Sequence, residues 1–214
     1  MSREAMLRRV RTAVGRGAGQ PIPDPPPVLL YPPDPGLDCV ARFTQRLELL
    51  GGVVHRAASH SEARAQVERL LNGRAAIASN AALLNACGIH NIPGVVSGVT
   101  DREVLRDHCA THPVGISGAE YGLADTGSLV MLAGPQNPRM VSLLPPVHIA
   151  VLEAGRILAG IDHLLAVLPH PPADASSMVL ITGPSRTGDI EQISIRGVHG
   201  PGEIYVVLVG AAPS

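Results

Sequence analysis

The chain has 214 residues, of which 45% are apolar but only 2% aromatic, and its formal net charge is −1. That length suits one domain with an appendage. The near-neutral charge and the lack of aromatic stacking platforms argue against a nucleic-acid binder, and no apolar run is long enough to span a membrane.

All 17 basic residues are Arg, which removes Schiff-base and phosphate-loop lysine chemistry and favours bidentate recognition of carboxylate or phosphate. Cys39, Cys87 and Cys109 are far apart and odd in number, and there is no C-x-x-C pair. Neither a disulfide framework nor a four-cysteine cluster follows from that spacing, and a reducing, cytoplasmic setting is expected.

Residues 2–16 predict a helix with Met6, Val10 and Val14 on one stripe, followed by a stiff strap with eight prolines between Pro21 and Pro35. These form an appendage over 1–36, and a single domain runs from 37 to 214. Within it, helices are expected at 37–50, 60–72, 80–87 (capped by Asn80), 100–110 and 159–168. Strands are expected at 53–55, 75–78 and 147–153, and at the C-terminus in EIYVVLVG. Such alternation marks a mostly parallel sheet with crossover helices, an α/β class with helices on both faces. GSLVMLA (127–133) and RMVSLLP (139–145), separated by GPQNP, predict an antiparallel hairpin. MVLIT (178–182) reads as a buried strand and TGDIEQISI as a helix starting near Thr187.

Two polar, glycine-punctuated segments are candidates for chemistry. In GPSRTGD a strand runs into Ser185, Arg186, Thr187 and Asp189, and a helix start there would offer backbone N–H groups to an anion. The competing reading is purely structural: Thr187 as N-cap, with Asp189 and Glu191 complementing the helix dipole. His199, between glycines in GVHGPG, is a further candidate. In GISGAEYGLADTGS, Glu120 and Asp125 are candidate bases, nucleophile or ligand anchors, with Thr126 and Ser128 as hydroxyl donors. Its rival is a tight turn in which Asp125 bonds backbone N–H groups. His108, Cys109 and His112 form a small cluster with metal-compatible spacing, but a helix end decorated with histidines is the commoner outcome.

At GAEYGLADTGSLVML, LLPPVHIAVL, ITGPSRTGDIE and GVHGP the chain resembles the lactate-utilization protein C family, the LUD-domain proteins. The resemblance implies a three-layer α/β/α fold like that of ribose-5-phosphate isomerase, glucosamine-6-phosphate deaminase and the CoA transferases. It implies a place in a three-protein system that oxidises L-lactate to pyruvate, with iron–sulfur clusters in the partner proteins and no cofactor in this chain. The family positions map onto Glu120, Asp125, Thr126, Gly127, Ser128, Ser185, Arg186, Thr187, Asp189, Glu191, His199 and Gly200.

Three functions remain open on this reading. One is an accessory or substrate-binding subunit holding a small carboxylate. Another is a stand-alone isomerase or CoA-transferase-like enzyme acting on a phosphorylated or acyl substrate, with Glu120 as nucleophile or base. The third is a regulatory binding module. An oligomer is compatible with all three.

Overall fold

The computed structural model describes residues 2–15, 36–170, 172, 175–188, 194–196 and 199–211. Helix α1 (Arg3–Val14) starts on the Ser2 cap, ends at Gly15 in the left-handed conformation and buries no residue. The α/β domain begins with α2 (Cys39–Leu49), whose Asp38 side chain accepts the Ala41 N–H at 3.0 Å, and Phe43 and Leu47 face inward. β1 (Val53–Ala57) leads into α3 (His60–Leu71). There Ser59 accepts the Glu62 N–H and Glu62 reaches back to the Ala58 N–H at 2.8 Å, a reciprocal cap.

β2 (Ala76–Ala78), α4 (Ala82–Ala86), β3 (Val95–Val96), α5 (Arg102–Thr111) and β4 (Val114–Gly118) follow. Asn80 does not cap α4, as its position suggested. It accepts the Gly98 N–H at 2.7 Å and ties two loops together instead. β5 (Tyr121–Leu123), β6 (Ser128–Ala133), α6 (Met140–Leu143), β7 (Val147–Glu153), β8 (Ile157–Leu158) and α7 (Ile161–Val167) come next. The described part of the chain closes with β9 (Ser177–Ile181), β10 (Arg186–Gly188), β11 (Ser194–Arg196) and β12 (Glu203–Val209).

The main sheet has six strands in the order β1-β12-β7-β4-β2-β3, all parallel. On one face, Ala63, Val67 and Leu71 of α3 and Leu84 of α4 pack on Val114, Ile116, Ile149 and Val207. The other face, with Ala150, Leu152, Val206 and Leu208, meets α2 and a second sheet of order β8-β5-β6-β9. This small sheet shares its layer with α5 and α6, and Leu164 of α7 covers Leu123 and Val130 on it.

Three elements differ from their sequence pattern. Residues 139–145 are not a strand but contain α6. Pro138 on one side and Pro145-Pro146 on the other deny a strand its ladder donors, and Gly115 lets the short helix sit against β4. A Cβ on Gly115 would lie 1.9 Å from the Val141 carbonyl oxygen. The antiparallel partners of β6 are therefore β5 and β9. β9 is an edge strand with Met178 and Leu180 exposed, not the buried strand its unbroken apolar run suggests. Finally, Arg186–Gly188 pairs antiparallel with Ser194–Arg196, so no helix begins at Thr187. In that ladder Thr187 stands opposite Ile195.

Candidate functional site

Reading along the main sheet, the chain passes outward from β2 to β3 and then returns through β4, β7 and β12 on the opposite side. The direction of winding therefore reverses between β2 and β4, and open α/β sheets bind ligands beyond the carboxyl ends of strands at such a reversal. A cavity of about 380 Å³ lies there. Its walls come from Ala82 and Leu83 after β2, Glu120 after β4, Glu153 and Arg156 after β7, and His60 after β1.

Glu120 is the central ionisable group. Its Oε2 accepts the Leu132 N–H at 2.8 Å and its Oε1 accepts the Asn137 side-chain N–H at 3.2 Å. Burial pushes its carboxyl above the ordinary carboxylate value, while these hydrogen bonds and the Arg156 charge pull the other way. The Asn137 amide also donates to the Gly118 carbonyl at 2.7 Å, and its own Oδ1 is buried without a partner among the described residues. Arg156 lies over the Tyr121 ring, 5.4 Å from its centre, and pairs with Glu153 at 3.2 Å while remaining half exposed. A carboxylic side chain held partly dry beside an exposed guanidinium can bind a small carboxylate and exchange a proton with it.

Below this cavity the main sheet holds a second polar pair. His148 on β7 is completely buried, and its Nε2 shares a 2.6 Å hydrogen bond with Ser117 Oγ on β4. Burial lowers the imidazole from 6.5 to about 4, so it is neutral at physiological pH. Its Nδ1 has no partner among the described residues.

The candidate residues from the sequence part into two groups. Glu120 lies in the cavity described above. Asp125 lies past the far end of β5, a three-residue strand that spans roughly 10 Å at about 3.3 Å per residue. Asp125 is exposed, accepts the Thr126 hydroxyl at 3.2 Å, and its backbone N–H goes to the Ala159 carbonyl. Ser128 Oγ donates to Thr126 Oγ1 and also meets Thr182 Oγ1, each at 2.8 Å. Gly127 (φ +70°) seats this turn against Arg46 and Leu47 of α2.

The 183–186 turn arrives at the same end of α2, where the Arg186 guanidinium donates to the Leu50 carbonyl oxygen. Ser185 donates its backbone N–H to Pro201, beside Gly200, and His199 is exposed nearby. Thr126, Ser128, Ser185 and Arg186 thus gather around the C-terminal end of α2, while Glu120 faces Arg156 instead. The helix start that was to complete an anion site at Thr187 is replaced by the β10–β11 pair. The Thr187 backbone lies in that pair, and Asp189 and Glu191 lie outside the described residues.

His60, Asn137, Arg156 and His148 were not singled out in the sequence. Arg156 ends a short 3-10 turn after β7 and Asn137 lies in the bend after β6, neither within a motif, and only the convergence of strand ends makes them neighbours of Glu120. His108 and His112 stack edge to face at 5.1 Å, and the His112 ring bonds the His108 carbonyl at the end of α5. Cys87 and Cys109 are buried in different clusters, each pushed up to about 11 by burial. Among the described residues no three metal-binding side chains converge, and no helix is long and apolar enough to cross a membrane.

Comparison with known proteins agrees with the architecture. The family model described as the LUD domain matches residues 40–209. The uncharacterized protein YkgG of Escherichia coli K12 is 38% identical over 101 residues, 44% of this chain and 43% of that protein. Lactate utilization protein C of Halalkalibacterium halodurans is 34% identical over 114 residues, 51% of this chain and 50% of that protein. Its namesake in Bacillus subtilis is 34% identical over 100 residues, 45% and 42% of the two chains. Each alignment therefore spans half of the relative or less. A crystal structure of a DUF162 family protein from Deinococcus radiodurans superposes with a TM-score of 0.60 at 17% identity, covering 80% of this chain and 96% of that one. That likeness concerns the fold.

Proposed function

The chain belongs to the LUD domain family, and on that premise we propose that it serves in lactate utilization as a substrate-binding subunit. Arg156 holds the carboxylate of L-lactate or pyruvate, and Glu120 accepts the hydroxyl proton as lactate becomes pyruvate. The observation that carries this reading is Glu120 itself: a half-buried carboxyl with a raised pKa, at the reversal point of a parallel sheet, sharing a cavity with an exposed arginine.

Conversion of lactate to pyruvate releases two electrons and two protons. In this reading Glu120 takes one proton and His60, which opens α3 and lines the same cavity, relays the other to solvent. The electrons pass to a partner protein, for which iron–sulfur clusters are the fitting carriers. The dispersed cysteines of this chain provide no cluster ligand set. The same chemistry makes the partner a separate protein that docks near the cavity mouth.

Calorimetric titration with L-lactate and pyruvate, alone and with the partner proteins of the lactate system, tests the proposal. Arg156→Gln is expected to weaken binding by about tenfold or more, the value of a charge-assisted contact. Glu120→Gln is expected to retain binding yet abolish lactate-dependent electron transfer. Binding of neither ligand under any of these conditions, or normal turnover by Glu120→Gln, refutes it.

A further inference from the structure

Behind Glu120 lies a small cavity of about 220 Å³ walled by Leu132, Gly134, Gln136 and Asn137. Gly134 and Gln136 also wall a much larger groove, of about 730 Å³, that the lactate reading does not use. Its floor is apolar, with Leu105 from α5, Met140 and Leu143 from α6 and Leu144 just after it, and Leu144 is half exposed. Arg102, Arg106 and Arg139 line it as well, and among the described residues no acidic or aromatic side chain does.

The three arginines are not equivalent. Arg106 is committed to Glu103 at 2.9 Å and leans toward Asp107 at 3.8 Å. The guanidinium groups of Arg102 and Arg139 have no ion pair and no hydrogen bond among the described residues. Two uncommitted cations of fork geometry, set on an apolar floor, match an anionic headgroup joined to an aliphatic body. The volume falls within the range of roughly 300–1,000 Å³ typical of small-molecule sites. The described residues offer no aromatic surface there on which a nucleobase or other flat ring would stack.

We propose that this groove is a second binding site, for a small amphipathic anion whose aliphatic chain lies on Leu105, Met140, Leu143 and Leu144 and whose phosphate or carboxylate head is held by Arg102 and Arg139. It is distinct from the Glu120–Arg156 cavity and stands whether or not lactate binds there.

Met140 supplies a local reporter, because Met131 is buried in a different cluster and serves as an internal control. Protein labelled with ¹³C at the methionine methyls is titrated with octyl phosphate and, separately, octanoate, both below their micellar concentrations. Saturable movement of the Met140 signal with Met131 unmoved is the expected result, and the tighter of the two ligands identifies the head the groove prefers. The double variant Arg102→Gln/Arg139→Gln, altered only at exposed side chains, is expected to weaken binding by about tenfold or more. Octanol and inorganic phosphate, each carrying half of the proposed recognition, are expected to bind at least as much more weakly. An unmoved Met140, an unaffected double variant, or octanol binding as well as octyl phosphate overturns the proposal. So does an acidic amphipathic peptide that moves Met140 where neither small anion does, which would make the groove a protein-docking face.

Discussion

Acidification should destabilise this protein through the buried His148. Its imidazole is fully buried between β4 and β7, and burial lowers it from 6.5 to about 4. The unfolded chain carries an ordinary imidazole, which takes up its proton first as pH falls, while the folded protein stays neutral there until near pH 4. The stability linked to His148 is therefore complete above the unfolded value and is lost as pH falls from 6.5 toward the folded value. At pH 5 the loss is roughly 2 kcal/mol, rising to roughly 3 kcal/mol below both values.

Urea titration followed by far-UV circular dichroism, at pH about 7.5 and about 5, measures this directly; the chain has no Trp to serve as a fluorescence probe. The control is His148→Gln, which keeps a polar partner for Ser117 and does not titrate. Subtracting the variant from the parent removes the other groups. Among these are His55, also lowered by burial, and Glu120, whose raised carboxyl acts in the opposite sense by losing stability as pH rises. The parent should lose about 2 kcal/mol more than the variant between the two pH values. Equal losses would show that His148 is protonated in the folded state or reached by water, and the burial argument would fail.

Two substitutions test how the site is framed. Gly115→Ala forces a Cβ to 1.9 Å from the Val141 carbonyl oxygen and must push α6 off the sheet; a loss of about 3 kcal/mol in urea midpoint analysis is expected, and a loss well under 1 kcal/mol would mean α6 is loosely seated. Asp38→Ala removes the side-chain cap of α2, and about 1 kcal/mol in the same assay is expected.

Much of the scaffold is legible along the chain. The Ser59–Glu62 reciprocal cap announces α3, Asp101 announces α5, and the Val/Ile/Leu runs of β7 and β12 declare strands buried on both faces. These are local signals, carried by neighbours in sequence. Residues 139–145 mislead because an apolar run of that length fits a strand or a short helix equally well. Only flanking prolines and the empty space over Gly115 favour α6. The segment from Arg186 misleads for a related reason: a Thr-Gly-Asp start resembles a helix cap, yet Arg186–Gly188 forms a strand whose partner, Ser194–Arg196, lies farther along the chain.

The candidate site divides along the same line. Glu120 can be recognised as a polar residue in a glycine-rich passage, but its surroundings cannot. His60 opens α3, Leu83 lies in α4, Arg156 follows β7 and Asn137 follows β6, and the parallel sheet brings the first three to one edge because successive strands all point their carboxyl ends the same way. Asp125 and Arg186 look equally functional in sequence, but the strand between Glu120 and Asp125 carries the latter to the opposite end of β5, and Arg186 is spent on Leu50. What the amino-acid order determined unaided is the class of fold and the caps and runs that build it, since those depend on residues a few positions apart. Which charges meet, and which are left facing solvent, was decided by strand order and crossover direction, because electrostatic partnership depends on distance in space and the chain folds back many times before it is set.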